Sequence, residues 1–542
     1  MFERMAERPL PWLLLLAGLS FAFMLGGHAL WDVDEPNNAV CAREMLAAGN
    51  WWVPMFNGDL RFDKPILLYW LMMPLFSLFG VHEWTARLPS AMAMSSLVFV
   101  VWYFARRLCD ARTALVAALL MATVLHAAVI GRAATPDPLL ILFLAIALLS
   151  LLCFHMEDMR PAGLLWLAYI ALGFGVLAKG PIAIAMPGLI MPAYLLLAGR
   201  IKDVWRFRPF TGLALILLIA LPWYIGVGVL TDGVWLKGFL LHHNIDRFTQ
   251  SLQGHRGFPG FYIVTFLAGW FPWTGMLIGA LSLGSWRLEQ LRQQPMRLFM
   301  LCWIGAFLLF FTAASTRLPN YMLPAFPAAA VLMALWMRDD EARALRWAAG
   351  GAMLLAVLAL IGAGVGLNIQ WPGTWSYALC FIPLLLAAVC AWRMGRRFGI
   401  AVIAGGMALS VALLALYPLP GLDRIKASPE LARAASAAGF DGAHLATYRY
   451  FQPSLLYYHG GRLPLLDDAD AAAEWLTRGG ALVMPEARLA DFPDAILPWL
   501  EIHARRHGMY ARQWLVLVSL KKLSLTGPSG LPDSPVRQSV SG

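Results

Sequence analysis

Long apolar runs recur along the whole chain, and they constrain its fold more than any other feature. About thirteen of them are long enough to cross a hydrocarbon core of roughly 30 Å. Because an open sheet would leave backbone polar groups unpaired in lipid, each run is predicted to form a helix. A composition of 60% hydrophobic and only 14% charged residues excludes an ordinary soluble protein. The predicted spans cover residues 10–30, 88–104, 113–129, 139–154, 164–177, 181–197, 210–230, 261–283, 298–312, 321–336, 347–367, 377–392 and 400–417.

Basic residues fall in every second loop between these runs. They cluster at residues 106–112, 200–208, 287–297, 338–346 and 393–397. The positive-inside rule makes these loops cytoplasmic. The N-terminus is then cytoplasmic, and the remaining loops face the periplasm of a bacterial inner membrane. The net charge of +10 is therefore a topology signal, and it does not indicate nucleic-acid binding.

The character of the chain changes after residue 420. Amphipathic pieces alternate with strand-like runs in residues 421–523. This pattern predicts a small soluble α/β domain in the periplasm, following a membrane domain over residues 1–420. The last stretch, residues 524–542, is rich in Ser, Pro and Gly and is predicted to be disordered.

Two acidic residues of the soluble domain, Asp468 and Asp470, imitate the acidic motif of nucleotide-sugar transferases. They directly precede a helical stretch, where an acidic cap is favoured, and no glycine-rich phosphate loop accompanies them. The sequence therefore predicts a helix cap here, and no nucleotide cofactor is expected.

Chemically varied polar residues gather on the predicted periplasmic side. The first periplasmic loop, within residues 31–87, holds Asp34 and Asp63, and short helices near 38–48 and 60–70 are predicted to lie along the membrane surface. A transport path would need ionisable residues at mid-span and an internal repeat, and neither is evident. A single extracytoplasmic site is the better interpretation. The other polar loops on this side are residues 132–138, 179–181, 242–255 and 315–321.

The residue types in these loops indicate a chemistry. An aspartate such as Asp34 acts as a general base when an acceptor hydroxyl or phosphate comes within hydrogen-bond reach. Asp137 either completes an acid/base pair with it or shares a divalent ion with it through oxygen ligands. A phosphate is well bound by a compact ammonium charge, a planar guanidinium fork and a hydroxyl donor. These groups are supplied by Lys64, Arg247 and Tyr321, respectively. A phosphate at the membrane surface points to a lipid-phosphate leaving group, and hence to sugar transfer from a polyprenyl carrier.

The order of short motifs in the membrane region resembles that of a known family. Motifs at residues 34–35, 42–45, 49–54, 62–65 and 69–70 resemble the first periplasmic loop of the aminoarabinose (lipid A) transferases. Those are GT-C glycosyltransferases related to the protein O-mannosyltransferases. The resemblance covers roughly residues 10–340. It continues in the same order at residues 179–181, 243–248, 271–274 and 318–324.

This resemblance implies an undecaprenyl-phosphate sugar donor, an inverting displacement, and an acceptor that is lipid A, another glycan or a protein. Two departures from the family pattern stand out. Residues 34–38 lack an arginine near the phosphate site, and Asp63 replaces a glutamate that can bind a metal ion. Asp63 is therefore the expected ligand if a divalent ion takes part. The resemblance assigns catalysis to Asp34 with Asp137, and lipid-phosphate binding to Lys64, Arg247 and Tyr321. Glu35 is a further catalytic candidate beside Asp34.

Other interpretations stay open. Asp34 and Glu35 also suit the start of a helix, Asp137 suits an N-cap, and Tyr321 suits an interfacial aromatic belt. The alternatives for the whole protein are a protein O-glycosyltransferase, a polyprenyl-lipid or oligosaccharide transporter, and a non-catalytic membrane scaffold. A monomer in contact with membrane lipids is expected. Five further residues complete the candidate site: Lys179, His243, His255, Arg317 and Asn320.

Overall fold

The computed structural model describes residues 2–240, 258, 260–283, 287–395, 397–509 and 512–521. The chain divides into two compact units, Met1–Arg424 and Ile425–Gly542. The first unit is almost entirely helical, and the second combines helices with a sheet. A polytopic α-helical protein with a small C-terminal α/β unit is thereby confirmed. The predicted disordered tail lies outside the described residues.

The described part of the first unit contains nine helices that are long and apolar enough to cross a membrane, or ten if a bent pair forms one span. The bent pair is Ala111–Thr123 with Leu125–Gly131, which meet at 59°. The nine are Glu83–Leu108, Asp137–Met156, Ala162–Lys179, Pro209–Leu230, Pro295–Ala313, Pro319–Asp339, Glu341–Gln370, Trp375–Met394 and Phe398–Ile425. These ten coincide with ten of the thirteen predicted spans.

The other three predicted spans are helical but shorter. Leu10–Ala22 and Ile182–Leu197 are apolar helices below the length needed to cross unaided. The third is broken into Phe261–Gly269 and Thr274–Leu283. Pro272 lies at the break, where its missing N–H and fixed φ disfavour a continuous helix.

Shorter helical segments connect these elements in the first unit. They are Phe2–Glu7, Ile201–Phe207, Val234–Lys237 and Leu288–Arg292. The segments Pro418–Gly421 and Leu422–Ile425 form the end of the span Phe398–Ile425.

The chain after the first apolar helix forms a helix, a hairpin and a second helix. The helix predicted near 38–48 is present but begins earlier, as Asp34–Ala47. The helix predicted near 60–70 is wrong in its first half. There β2 (Asp59–Leu60), which pairs antiparallel with β1 (Met55–Phe56), ends at residue 60, and residues 61–66 are not helical. The following helix is Leu67–Phe79. Pro65 shortly before it explains why the helix does not start sooner.

The hairpin turns at Asn57 and Gly58. Both have positive φ, 54° and 85°, as a two-residue primed turn requires. The Glu44 carboxylate accepts from both backbone N–H groups, at 2.8 Å from Asn57 and 3.1 Å from Gly58. The hairpin is thereby held against the helix Asp34–Ala47, which fixes the segment that leads to Lys64.

Sequential packing of the transmembrane helices decides which loops meet. Helices Asp137–Met156 and Ala162–Lys179 form an extensive antiparallel pair, and Glu83–Leu108 packs against the first of them. In such a pair the start of one helix and the end of the next lie on the same side. Asp137 and Lys179 are therefore brought together by topology.

The second unit is built on a five-stranded sheet. Strands β3 (Leu445–Tyr448), β4 (Leu465–Leu466) and β5 (Ala481–Pro485) are parallel, and β6 (Leu500–Gly508) and β7 (Gln513–Leu520) extend the sheet antiparallel, in the order β4-β3-β5-β7-β6. Its helical segments are Ala427–Ala437, Gly442–His444, Pro453–His459, Ala469–Thr477, Glu486–Asp491 and Leu497–Trp499.

The acidic pair of this unit behaves as a helix cap. Asp468 is the N-cap of Ala469–Thr477, and its carboxylate accepts from the N–H of Ala471 at 3.0 Å. The predicted cap is confirmed.

Candidate active site

The two neighbouring acids Asp34 and Glu35 open the same helix but have opposite surroundings. Both lie in its first turn, where the helix dipole favours negative charge. Asp34 is exposed, and no hydrogen bond or ion pair to its carboxylate is found among the described residues. Glu35 is only 3% exposed. The Asp34 carboxylate is therefore available to a ligand, whereas the Glu35 carboxylate is buried inside the protein.

The Glu35 carboxylate is fully engaged. Arg87 donates Nε to Oε1 at 2.8 Å and Nη2 to Oε2 at 2.9 Å, and the N–H groups of Trp31 and Ala134 each donate at 2.8 Å. Burial raises the pKa of this carboxyl, but Arg87 and the two N–H donors outweigh it and hold the pKa below its usual value. Glu35 is therefore an ionised structural anchor beside Asp34, and this geometry favours a supporting role over a direct catalytic one.

Arg87 was missed in the sequence analysis, although it organises this region. It is fully buried, and its remaining N–H groups donate to the carbonyl oxygens of Leu25, His28 and Ala29 at 2.9–3.1 Å. The predicted span began at residue 88, whereas the helix starts at Glu83. A lone arginine inside an apolar helix was the signal that could have found it.

A second loop is tied to the Asp34 helix from the other side. The N–H of Ala134 donates to Glu35, and its carbonyl accepts from Nδ2 of Asn38 at 2.9 Å. Ser90 donates to the carbonyl of Thr135 at 2.9 Å. This loop ends at Asp137, so these contacts hold the two predicted catalytic aspartates in one framework.

Asp137 lies in a compact polar cluster. Its side chain receives Nζ of Lys179 at 2.5 Å and Nδ2 of Asn320 at 3.2 Å, both at Oδ1. The Lys179 ammonium also lies 5.6 Å from the ring centroid of Tyr321, a cation–π contact. Four predicted residues, drawn from three separate loops, are thus brought together by the structure.

Asp63 faces an arginine. Nη2 of Arg61 lies 2.8 Å from the Asp63 carboxylate, and Arg61 is itself 9% exposed. Within the described ranges, no three His, Cys, Asp or Glu side chains are arranged to hold a metal ion. The Arg61 guanidinium already neutralises the Asp63 carboxylate and would compete with a cation for it. A metal role for Asp63 stays a prediction.

Lys64 follows the hairpin and is half-buried. Two buried indoles, called here the indole clamp, hold the segment that precedes Lys64. Nε1 of Trp223 donates to the carbonyl of Trp52 at 3.0 Å, and Nε1 of Trp235 donates to the carbonyl of Arg61 at 2.8 Å. Both indoles are buried and were missed by the sequence analysis. Their apolar helical context gave no signal of this contact.

The remaining predicted residues are placed only in part. Arg317 donates Nη1 to the carbonyl of Phe258 at 2.6 Å and is half-buried. His243, Arg247 and His255 lie outside the described residues.

Comparisons with known proteins agree with this architecture. Residues 63–225 match the family described as dolichyl-phosphate-mannose-protein mannosyltransferase. The chain is 31% identical over 425 residues to the undecaprenyl phosphate-alpha-4-amino-4-deoxy-L-arabinose arabinosyl transferase of Pectobacterium carotovorum, covering 75% of each chain. It is 30% identical to the protein of the same name from Enterobacter sp. (strain 638), over 97% of this chain and 95% of the relative.

The fold also matches a solved one. The crystal structure of ArnT from Cupriavidus metallidurans in the apo state superposes with a TM-score of 0.81 at 22% identity, covering 96% of this chain and all of the other. The same protein bound to undecaprenyl phosphate gives a TM-score of 0.78 at 23% identity, covering 96% and 99%.

The fold and the relatives together define a polytopic membrane glycosyltransferase of the GT-C class. The family resemblance seen in the motifs is confirmed. The chain belongs to the family of the undecaprenyl phosphate-alpha-4-amino-4-deoxy-L-arabinose arabinosyl transferases.

Proposed function

We propose that this protein transfers 4-amino-4-deoxy-L-arabinose from undecaprenyl phosphate to lipid A at the periplasmic face of a bacterial inner membrane. The printed names of its relatives supply the donor and the sugar. The observation that carries the proposal is the exposed Asp34 beside the buried Glu35–Arg87 pair. It presents one available carboxylate on a rigid support, joined through Ala134 to the loop of Asp137.

In the proposed reaction an acceptor oxygen attacks the anomeric carbon of the donor. A bond forms between that oxygen and the carbon, and the bond from the carbon to the phosphate oxygen breaks with inversion. The electron pair leaves with undecaprenyl phosphate. Asp34 takes the acceptor proton where there is one, or orients an acceptor that is already ionised.

Charge develops on the departing phosphate, and cations that are already in place stabilise it without reorganisation. We assign this role to Lys64, Tyr321 and Arg247, on the family resemblance. The Trp235 clamp on the carbonyl of Arg61 supports the position of Lys64. Lys179 is paired to Asp137 and lies near the Tyr321 ring, which supports a positioning role for this pair.

The orientation follows from charge. We propose a cytoplasmic N-terminus and a periplasmic C-terminal unit, supported by the arginine-rich loops on the opposite side from Asp34.

The deciding experiment is transfer in vitro. Purified protein is incubated with a mixed pool of undecaprenyl-phosphate sugars and with lipid A, envelope glycan or polypeptide as separate acceptors, and products are identified by mass spectrometry. We expect a mass increase of one aminoarabinose on lipid A, lost in Asp34→Asn and Lys64→Ala. A product on polypeptide only would instead support the protein O-glycosyltransferase alternative. No product with any donor would refute the proposed function.

A further inference from the structure

Arg132 has an unusual environment. It directly follows the short helix Leu125–Gly131 and is only 7% exposed. Its Nη2 donates to the carbonyl of Met24 at 3.3 Å. Nε and Nη1 are buried and have no hydrogen-bond partner within the described ranges. Arg132 is therefore a buried cation held by one long hydrogen bond to a neutral group.

Buried charges are normally paired, because an isolated one is strongly destabilising. The acids of this region are already in use: Glu35 is saturated by Arg87, and Asp137 binds Lys179. Burial, together with the charge of Arg87, lowers the pKa of Arg132 to about 10. No carboxylate among the described residues hydrogen-bonds or ion-pairs with Arg132, which lies on the side where the substrates are expected.

A second side chain of the same loop also has a buried polar atom without a hydrogen-bond partner among the described residues. Thr135 is 8% exposed, and its Oγ1 is buried with no hydrogen-bond partner among the residues the structure describes. Unsatisfied buried polar groups are few in native proteins, and each calls for an explanation such as a missing ion or ligand. These two groups lie three residues apart in the loop 132–137, which also carries Ala134, the partner of Glu35, and their donors suit an anionic ligand.

We infer that Arg132, assisted by Thr135, forms a binding subsite for the phosphate group of a lipid substrate. A guanidinium presents two N–H donors to a phosphate in a planar fork, and Thr135 adds a hydroxyl donor. Because both nitrogens are shielded from bulk water, a ligand oxygen reaching them meets little competing hydration. The phosphate belongs either to the acceptor lipid or to the undecaprenyl carrier, and the two sources are separated experimentally below.

The first test measures stability without ligand. Arg132→Met removes the buried charge at similar volume, so we expect it to unfold at the same temperature as the wild type or higher, in detergent free of added lipid. Arg343→Gln is the matched control, because Arg343 is exposed and pairs only with the nearby Asp340 among its recorded contacts. A clear fall in unfolding temperature for Arg132→Met would overturn the subsite, since the guanidinium would then have a structural partner.

The second test measures binding. Full-length protein is titrated with undecaprenyl phosphate, with bisphosphorylated lipid A and with lipid A stripped of its phosphates. We expect Arg132→Gln to weaken one of the two phosphorylated lipids at least ten-fold, and Thr135→Val to weaken the same lipid less. Binding of the phosphate-free lipid should not change. The affected lipid identifies the source of the phosphate, whereas equal affinities of wild type and Arg132→Gln for all three refute the inference.

This inference rests on the proposed function but fails separately from it. If Arg132→Gln transfers sugar with the kcat and KM of the wild type, the subsite is wrong and the proposed function stands. If phosphorylated lipid binds through Arg132 and no sugar is transferred, the subsite stands and the proposed function is wrong.

Discussion

Arg87 and Glu35 are 52 positions apart in the chain, yet their side chains meet through two nearly parallel hydrogen bonds of 2.8 and 2.9 Å. Both are buried, and the guanidinium also gathers three carbonyl oxygens of residues 25–29. A bidentate arginine–carboxylate pair fixes direction as well as distance. The pair therefore sets the start of the helix on which Asp34 stands.

Removing Arg87 should be among the most damaging single changes in the protein. Arg87→Ala leaves the Glu35 carboxylate buried without its cation, which costs about 3–5 kcal/mol in comparable cases. We expect a lowered unfolding temperature in detergent and loss of transfer activity. The double variant Glu35→Leu with Arg87→Met should recover much of the stability, because no buried charge remains. Equal stability of Arg87→Ala and wild type would show that the pair contributes little.

The stability of the membrane unit should depend on acid pH through Glu35. The folded-state pKa of this carboxyl lies below its usual value of 4.5, so its contribution is complete above that value. It is lost as pH falls through the lower folded pKa. We expect the unfolding temperature of wild type to fall below pH 4.5 more steeply than that of Glu35→Gln, which lacks this titration. Parallel curves would contradict the assignment.

Substitutions of the neighbouring acids Asp34 and Glu35 should have different effects, the first on the transfer rate and the second on stability. Asp34→Asn changes an exposed carboxylate and should lower the transfer rate about 10²–10⁴-fold, as loss of a general base does, with an unfolding temperature near that of wild type. Glu35→Gln should lower the unfolding temperature. Transfer assays and thermal unfolding on the same preparations compare the two. A stable and fully active Asp34→Asn would remove Asp34 from the mechanism.

Lys179 should matter for the position of Asp137. Lys179→Ala leaves a 7%-exposed carboxylate without its ammonium partner, and we expect at least a ten-fold loss of transfer rate. Lys202→Ala is the control, since Lys202 is exposed on the predicted cytoplasmic side. An unchanged rate in Lys179→Ala would assign the ion pair to packing alone.

The indole clamp should stiffen the segment before Lys64. Trp235→Phe keeps an aromatic ring but removes the N–H that Arg61's carbonyl accepts, at a cost of about 1–3 kcal/mol for an unsatisfied buried acceptor. We expect faster hydrogen–deuterium exchange across residues 51–63 and a raised KM for the donor. Exchange at wild-type rates would mean that the hairpin holds the segment by itself.

Much of the site was accessible from the sequence because its residues stand at the ends of apolar runs. Asp137, Lys179, Asn320 and Tyr321 each follow or open a predicted span, and helix hairpins bring such ends together. The number of full-length spans was predicted less well. Pro272 divides one predicted span, and two others form helices that are shorter than a full span.

What the sequence could not show were partners distant in the chain. The N–H of Ala134 reaches Glu35 across 99 positions, and nothing local to either residue announces that contact. Arg87 escaped because one boundary was placed five residues too late, at 88 instead of Glu83.

The loop from Arg132 to Asp137 also bears on how such enzymes diverge. Its backbone braces Glu35 through Ala134, its first residue is an unneutralised arginine, and its last is held by Lys179. A substitution in this loop is a poor route to a new acceptor specificity, because it would disturb more than one of these three structural roles at once. Innovation in substrate range should therefore accumulate elsewhere, while this loop changes slowly in length and composition.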